Sequence, residues 1–171
     1  MTTQLYCVIL SNERGKIALD DRAQTLIKLT NNIYRCTQVY IDKKLKKYNL
    51  TTGTYPYLLV LSKKEGISQS DISRELNVDK SMSARTIKRL ISLGYIRKEE
   101  NKEDIRAYRL YITDKARGVI PEILETIHNW IDILIEGNDK NKIKISMEFL
   151  EQILENGKKY RRENCERMKK N

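Results

Sequence analysis

The first apolar periodicity of the chain is helical and lies in residues 20–49. No Gly or Pro interrupts the sequence from Asp20 to Tyr48, which favours a continuous helix. The apolar positions recur every three or four residues, the spacing of one helix face, at Leu26, Leu29, Ile33, Cys36 and Tyr40. This pattern predicts a long amphipathic helix whose apolar face packs against other helices. After a break at residues 50–54, a short apolar stretch ending before Gly66 predicts a second helix.

The next segment has the spacing of two short helices joined by a tight turn. Ser68 and Asp71 are three residues apart, which is the arrangement of a capping box at a helix start. Asp79 is a suitable N-cap for a second helix over residues 80–93, and Gly94 is placed to end that helix in a left-handed conformation. Two helices joined by about three residues form a helix-turn-helix.

The periodicity then changes from that of a helix to that of a strand. Residues 95–98 are a candidate strand, and in residues 108–112 Tyr108, Leu110 and Ile112 alternate with Arg109 and Tyr111. The two segments flank a polar stretch, so they predict a β-hairpin. A hairpin directly after a helix-turn-helix is a wing. The predicted fold class is therefore mainly α with a small β wing, a winged helix-turn-helix domain flanked by long helices.

Two further helices are predicted after the hairpin. Thr113 is placed to cap one that reaches about Glu136, and Pro121 is expected to kink this helix or shift its start. A break at residues 137–139 precedes a last helix over about residues 140–167. The beginning of the chain fits either a strand or a helix.

Charge and composition exclude several classes of function. Lys and Arg outnumber Asp and Glu by 33 to 23, a formal net charge of +10, which favours an acidic partner such as nucleic acid. No apolar run approaches the roughly 20 residues that span a bilayer, and the N-terminus lacks the features of a signal peptide. We therefore expect no membrane partner. Three cysteines cannot pair fully within one chain and no CxxC motif occurs, so a reducing cytoplasm is the expected location. Motifs for phosphate, dinucleotide or nucleophile-elbow chemistry do not occur, and His128 is the single histidine, so we expect no catalytic residue, metal site or cofactor.

Several short motifs occur in one order along the middle of the chain: Gly66-Ile67-Ser68-Gln69, Leu76, Asp79-Lys80-Ser81, Arg85, Leu90, Gly94, Ile96, Asp104-x-Arg106, Leu110-x-Ile112-Thr113 and Gly118. Their combination resembles the MarR family of winged-helix transcription regulators. The resemblance implies a homodimer, joined by the first helix and the last two, that places two recognition helices and two wings on one palindromic operator in double-stranded DNA. It also implies a regulator, in our interpretation a repressor, that a small-molecule effector releases.

The resemblance divides the chain into four segments. They are an N-terminal extension (1–19), a dimerisation helix (20–49), the winged helix-turn-helix domain (50–113) and C-terminal dimerisation helices with a basic tail (114–171). The residues themselves support part of this, because the apolar faces of the long helices are too extensive to be buried on so small a winged core. Pairing with a second copy of the chain is therefore expected.

The expected DNA contacts lie at the start of the recognition helix and on the wing. Short polar or basic side chains there reach the major groove first, and the candidates are Lys80, Ser81, Ser83, Arg85, Thr86, Lys88 and Arg89. Arg85 is expected to make a bidentate contact to guanine. On the wing, Arg106 is expected to enter the minor groove with Asp104 as its orienting partner, while Lys98 and Lys102 contact phosphates.

Alternative functions remain open from the sequence. The family resemblance implies an effector groove that Tyr34, Tyr40, Tyr55 and Tyr57 could line, although core packing explains each tyrosine more simply. Cys36 is expected to be a buried small hydrophobic residue, and a redox-sensing regulator would instead need it exposed. A winged-helix module that binds a protein or RNA partner is the alternative from another class.

Overall fold

The computed structural model of the protein describes residues 10–11, 17–18, 24–100 and 108–168. Its elements are β1 (Leu10–Ser11), β2 (Ile17–Ala18), α1 (Gln24–Leu45), a 3-10 turn (Lys46–Tyr48), α2 (Tyr55–Lys63), α3 (Gln69–Glu75), α4 (Lys80–Ser92), β3 (Ile96–Glu100), β4 (Tyr108–Ile112), α5 (Asp114–Ile135) and α6 (Lys140–Met168). The chain divides into two compact units, Met1–Trp130 and Ile131–Asn171. The predicted helices and wing strands are confirmed, and Leu10 lies in a strand paired with β2.

The start of α3 is fixed by the capping box that the sequence predicts. The Ser68 hydroxyl accepts a hydrogen bond from the Asp71 backbone N–H at 3.2 Å, and Asp71 Oδ2 accepts one from the Ser68 N–H at 3.1 Å. The hydrogen bonds from Ser68 are the main cause that lowers the pKa of Asp71 below its usual value. Two backbone N–H groups that have no partner within the helix are thereby satisfied.

Helix α5 starts where the sequence places it and contains its proline. The helix begins at Asp114, and the Thr113 side chain accepts a hydrogen bond from the Ala116 N–H at 3.3 Å. Pro121 lies two turns inside the helix, so it does not shift the helix start. Because proline has no N–H, the carbonyl of Arg117 loses its usual partner in the helix at this point.

The wing is a two-stranded antiparallel sheet with a short third segment. Ile96 pairs with Ile112 and Glu100 pairs with Tyr108 in the register of β3 and β4. Ile67 forms an isolated bridge to Leu110 on the other edge of β4. The alternation along β4 buries Leu110 and Ile112, so the hairpin is joined to the helical core by one face.

The core of the first unit receives side chains from α1 to α5 and from both wing strands. Its fully buried members include Ile41, Leu45, Leu50, Leu58, Leu61, Ile72, Leu90, Tyr95 and Ile123. Burial of these side chains is the main stabilising contribution of the unit, since each removes apolar surface from water. The core therefore holds α4 and the wing together on one scaffold.

Candidate nucleic-acid interface

One face of α4 is exposed and carries most of the candidate contacts. Lys80, Ser81, Arg85, Lys88 and Arg89 are exposed, and Thr86 is half-buried. The opposite face of the helix is apolar and is buried through Ile87 and Leu90. A short amphipathic helix with its basic face in solvent has the form required to enter a DNA groove.

The prediction that Ser83 contacts DNA is wrong, because its side chain faces the core. Its relative exposure is 0%, whereas Ser81 and Arg85 on the other side of α4 are exposed. The Ser83 hydroxyl is buried and has no hydrogen-bond partner in the described part of the chain. Ser83 therefore cannot contact DNA without rearrangement of α4.

A Ser83→Ala substitution is expected to leave DNA binding unchanged and to maintain or raise the free energy of unfolding. Leaving a buried hydroxyl without a partner costs about 1–3 kcal/mol, and alanine removes that cost while leaving only a very small space. Urea unfolding and DNA titration of the variant measure the two effects. A large loss of DNA affinity without loss of stability would show that Ser83 does contribute to DNA binding.

The N-terminus of α4 is held by a cap that also engages one candidate contact. Asp79 Oδ1 accepts hydrogen bonds from the N–H groups of Ser81, at 2.7 Å, and Met82, at 3.3 Å. The Ser81 hydroxyl donates to the same oxygen at 2.6 Å. This hydroxyl is the first of the causes that lower the pKa of Asp79. Ser81 is consequently free to accept, but not to donate, a further hydrogen bond while the cap is intact.

Side chains from other elements fix both ends of α4. Gln69 Nε2, in α3, donates to the carbonyl of Lys80 at 3.2 Å. At the other end, Lys115 Nζ donates to the carbonyl of Leu93 at 2.7 Å, which places a cation at the negative end of the helix dipole. The exposed face of α4 is thus presented in a defined orientation.

The described part of the wing carries cations that lie against tyrosine rings. Lys98 is exposed, and its Nζ lies 4.4 Å from the centre of the Tyr108 ring. Arg97 lies over the ring of Tyr111 at 4.6 Å and forms an ion pair with Glu99. Because Arg97 is already engaged, Lys98 is the better candidate for a phosphate contact. The predicted contacts Lys102, Asp104 and Arg106 lie outside the described residues.

The sequence analysis does not assign a role to Arg97, although the alternation of side chains in a strand predicts its neighbours in the wing. Residues two apart in a strand lie on one face, so Arg97 and Glu99 are neighbours. The register also places Tyr111 directly opposite Arg97. A pattern of charge and aromatic residues on one face of the hairpin therefore predicts that the arginine is engaged within the wing.

The four candidate effector tyrosines do not all line one of the two grooves beside α1. Tyr34 and Tyr57 line one groove between α1, α2 and α4, although Tyr57 is itself buried. Tyr40 stacks on Trp130 at 4.8 Å between ring centres and lines a different groove, between α1 and α5. Tyr55 lines neither groove, and burial raises its pKa. Tyr57 lies in the core and Tyr40 and Tyr55 pack against it, so core packing explains these three residues more simply, and an effector groove that the four tyrosines share stays a prediction.

The groove beside α4 is lined by residues of α4 as well as by tyrosines, which the sequence analysis does not predict. It has a volume of about 680 Å³ and is lined on the α4 side by Met82, Arg85, Thr86 and Arg89. Its other wall includes the loop of residues 51–54, in which the N–H and hydroxyl of Thr52 donate to Asp42 Oδ1 at 2.6 and 2.9 Å. The groove thus joins the candidate DNA-contacting helix to a fixed loop.

Other sites are sparse in the part of the chain that the structure describes. Cys36 is exposed on α1, contrary to the prediction of a buried residue, because none of the described residues covers its side chain. Within the described residues, no group of three or more His, Cys, Asp or Glu side chains could hold a metal ion. None of the described helices combines the length and the apolar character needed to cross a membrane.

An exposed basic helix of a helix-turn-helix, followed by a two-stranded wing, defines a winged helix-turn-helix DNA-binding protein. Comparison with known proteins identifies the family to which the chain belongs. The model of the MarR family matches residues 48–107. The HTH-type transcriptional regulator BilQ of Clostridioides difficile (strain CD3) is 38% identical over 107 residues, which are 63% of this chain and 72% of BilQ. The chain belongs to the MarR family and is a MarR-family transcriptional regulator.

Solved structures agree with this assignment. A MarR transcriptional regulator from Methanosarcina mazei Go1 is 32% identical, with a TM-score of 0.73 over 80% of this chain and 98% of that one. A mutant of MarR from E. coli complexed with operator DNA has a TM-score of 0.72 at 16% identity, over 78% of this chain and 96% of that one. The second likeness concerns the fold alone.

Proposed function

We propose that the protein reads a specific DNA sequence and represses transcription there as a homodimer on a palindromic operator. The observation that carries the proposal is the exposed basic face of α4 beside the wing. Arg85 is exposed on that face, and its planar guanidinium suits a bidentate contact to guanine. Arg106 remains the proposed minor-groove contact, oriented by Asp104, and Lys102 a phosphate contact. The proposed function includes no enzymatic activity, and its setting is the cytoplasm.

Exposed apolar helix faces support the homodimer. In the first unit, α1 exposes Ile27, Leu29, Ile33 and Val39 by half or more of their surface. In the second unit, the exposed apolar residues include Ile133, Ile145, Met147, Phe149 and Leu154. Apolar surface on this scale marks an interaction site, and a second copy of the chain covers it in our proposal. Segments 20–49 and 114–171 are thus proposed as dimerisation helices, and 50–113 as the DNA-binding domain.

The phosphate contacts are tested by the salt dependence of binding to duplex DNA. A Lys98→Ala variant is expected to bind every duplex more weakly and to lower the slope of log affinity against log salt by about one for each bound protomer. The matched control is Lys43→Ala, which removes an exposed cation at the end of α1, and which should leave the slope unchanged. An unchanged slope for Lys98→Ala would exclude this contact. Tighter binding to RNA than to duplex DNA would favour an RNA-binding module instead.

The groove beside α4 supports release by a small anionic aromatic effector. Tyr34 and Met82 supply apolar surface, while Arg85 and Arg89 supply two cations for a carboxylate. Because Arg85 is also the proposed base contact, a ligand bound to it competes directly with DNA. The same arginines would thereby serve both recognition and release.

Benzoate and its uncharged analogue benzamide test this effector class. Benzoate is expected to bind the free protein and to release DNA, and benzamide to do neither. Arg89→Gln should weaken benzoate binding, measured by calorimetry without DNA, by about tenfold or more because a hydrogen bond to a charged group is lost. Equal binding of the two ligands, or an unchanged benzoate affinity in Arg89→Gln, would contradict the proposed chemistry.

A further inference from the structure

Three separate segments of the chain meet at the carboxylate of Glu65. This residue follows α2, and its Oε1 accepts a hydrogen bond from Arg117 Nη2 at 2.7 Å, in the first turn of α5. The same oxygen accepts one from the backbone N–H of Ile112, the last residue of β4, at 3.3 Å. One side chain therefore ties the base of the wing to α5.

The residues beside Glu65 are bound to the wing as well. The N–H of Gly66 donates to the carbonyl of Leu110 at 2.9 Å, and the N–H of Leu110 donates to the carbonyl of Ile67 at 3.1 Å. Arg109 Nη1 donates to the carbonyl of Gly66 at 2.8 Å. We call residues 65–67 the wing anchor, because every one of them is hydrogen-bonded to β4.

The wing anchor leads directly into the helix-turn-helix. Ser68, the next residue, is the N-cap of α3, and Gln69 bonds to the first residue of α4. The path from the wing to the recognition helix is therefore short, and each of its steps is hydrogen-bonded. A displacement of the wing anchor changes the distance between the wing and α4.

The Glu65–Arg117 pair has the properties of a positioning contact rather than of a core contact. The two side chains keep 31% and 52% of their surface exposed, and ion pairs this exposed contribute little to folding stability. Arg117 has one other acidic neighbour among the described residues, Asp114, at 3.9 Å. Loss of the pair should thus loosen the base of the wing near Ile112 without unfolding the domain, because the buried side chains of β4 still hold the wing on the core.

We propose that Glu65 and Arg117 are positioning residues that set where the wing meets DNA beside the bases read by α4. This inference rests on the proposed function. In this proposal, Glu65 and Arg117 determine the distance between the wing and α4, and thereby which base pairs the protein prefers on either side of the half-sites. Neither residue lies on the DNA-contacting face itself. Arg117 also gives α5 a direct hold on the wing.

Lys115 offers a matched control on the same turn of α5. Its Nζ donates to the carbonyl of Leu93 and lies 4.7 Å from the centre of the Tyr95 ring, so it holds the end of α4 and not the wing. Arg117→Gln and Lys115→Gln each remove one positive charge from nearly the same place. Differences between the two variants therefore do not arise from net charge.

Hydrogen exchange of the full-length protein without DNA tests the hold on the wing. Arg117→Gln and Glu65→Gln are expected to speed amide exchange in β3 and β4, with little change in the melting temperature. Arg117→Lys should restore part of the protection, and Lys115→Gln should leave the wing amides unchanged. The inference is overturned if wing exchange is the same in Arg117→Gln as in the unmodified protein, or if Lys115→Gln speeds it equally.

Flank preference tests the consequence for DNA reading. Two duplexes share the selected half-sites and differ only in A·T-rich or G·C-rich flanks, and the ratio of their affinities is measured. Arg117→Gln is expected to reduce this ratio by about two- to thirtyfold, and Lys43→Ala, at the end of α1, to leave it unchanged. An unchanged ratio in Arg117→Gln, with the base of the wing loosened, would overturn the positioning role. If the unmodified protein preferred neither duplex, nor any other sequence, the proposed function would be contradicted instead. The hydrogen-exchange experiment would then be the test of whether Glu65 and Arg117 restrain the wing.

Discussion

Arg85→Ala is expected to weaken binding to the preferred operator by roughly 1–3 kcal/mol, or about five- to 150-fold, and to relax the preference at one base pair. Arg85 is exposed on the basic face of α4, one helix turn from the capped N-terminus. In the proposed contact, the guanidinium would make two hydrogen bonds to guanine, and only binding to the correct sequence would lose them. Binding to random duplex DNA should therefore fall much less.

Two comparisons separate base reading from general charge. Lys88→Ala removes another exposed cation of α4 and is expected to weaken specific and random duplexes by similar factors. Lys43→Ala removes a cation from the end of α1 and should affect neither duplex. If Arg85→Ala weakened specific and random DNA by the same factor, Arg85 would be a phosphate contact and the assignment would be wrong.

Ile33→Glu is expected to convert the protein into a folded monomer and to lower its affinity for the palindromic operator by about a hundredfold or more. Half of the Ile33 surface is exposed in the single chain, so a carboxylate there does not disturb the core. In a dimer joined through α1, the same carboxylate would be buried without a partner, which is strongly unfavourable. Sedimentation and circular dichroism measure assembly and folding separately.

Asn31→Glu is the matched control for this substitution. Residues 31 and 33 are separated by about 200° around the helix, so the same carboxylate then lies on the opposite face of α1. This variant is expected to remain a dimer and to bind the operator normally. A dimeric Ile33→Glu protein, or an Asn31→Glu protein that dissociates equally, would contradict dimerisation through the apolar face of α1.

The elements of the fold were predictable because their signals are local. The capping box at Ser68, the N-cap at Asp79 and the left-handed Gly94, with φ of 75°, each depend on a few neighbouring residues. The change from helical to strand alternation after Gly94 is local too. Each of these positions has the structure that its sequence pattern predicts.

The predictions for Ser83 and Cys36 are wrong because the exposure of each residue depends on which face of its helix it lies on and on what packs against that face. Residue type alone places Ser83 with Ser81 and Arg85, although Ser83 lies about 200° from Ser81 around α4. Cys36 was assigned to the core because it follows an apolar spacing, which shows only that the residue shares a face with apolar neighbours. Its exposure shows that the described part of the chain does not cover this face at Cys36.

The hold on the wing could not be predicted, because it joins residues far apart in the sequence. Glu65 and Arg117 are separated by 52 positions and are brought into contact by the fold. Neither residue has a distinctive local pattern, and each would be interpreted as an ordinary surface charge. Their relation follows from the three-dimensional arrangement of the wing anchor alone.

Selection of preferred sites from a random pool of double-stranded DNA tests whether the protein reads DNA as a symmetric dimer. We expect enrichment of an inverted repeat whose half-site centres lie about one helical turn, roughly 10 base pairs, or a multiple of it apart, as two copies of α4 in such a dimer require. Recovery of no common sequence, or of a single half-site without its inverted copy, would contradict sequence-specific binding by a homodimer.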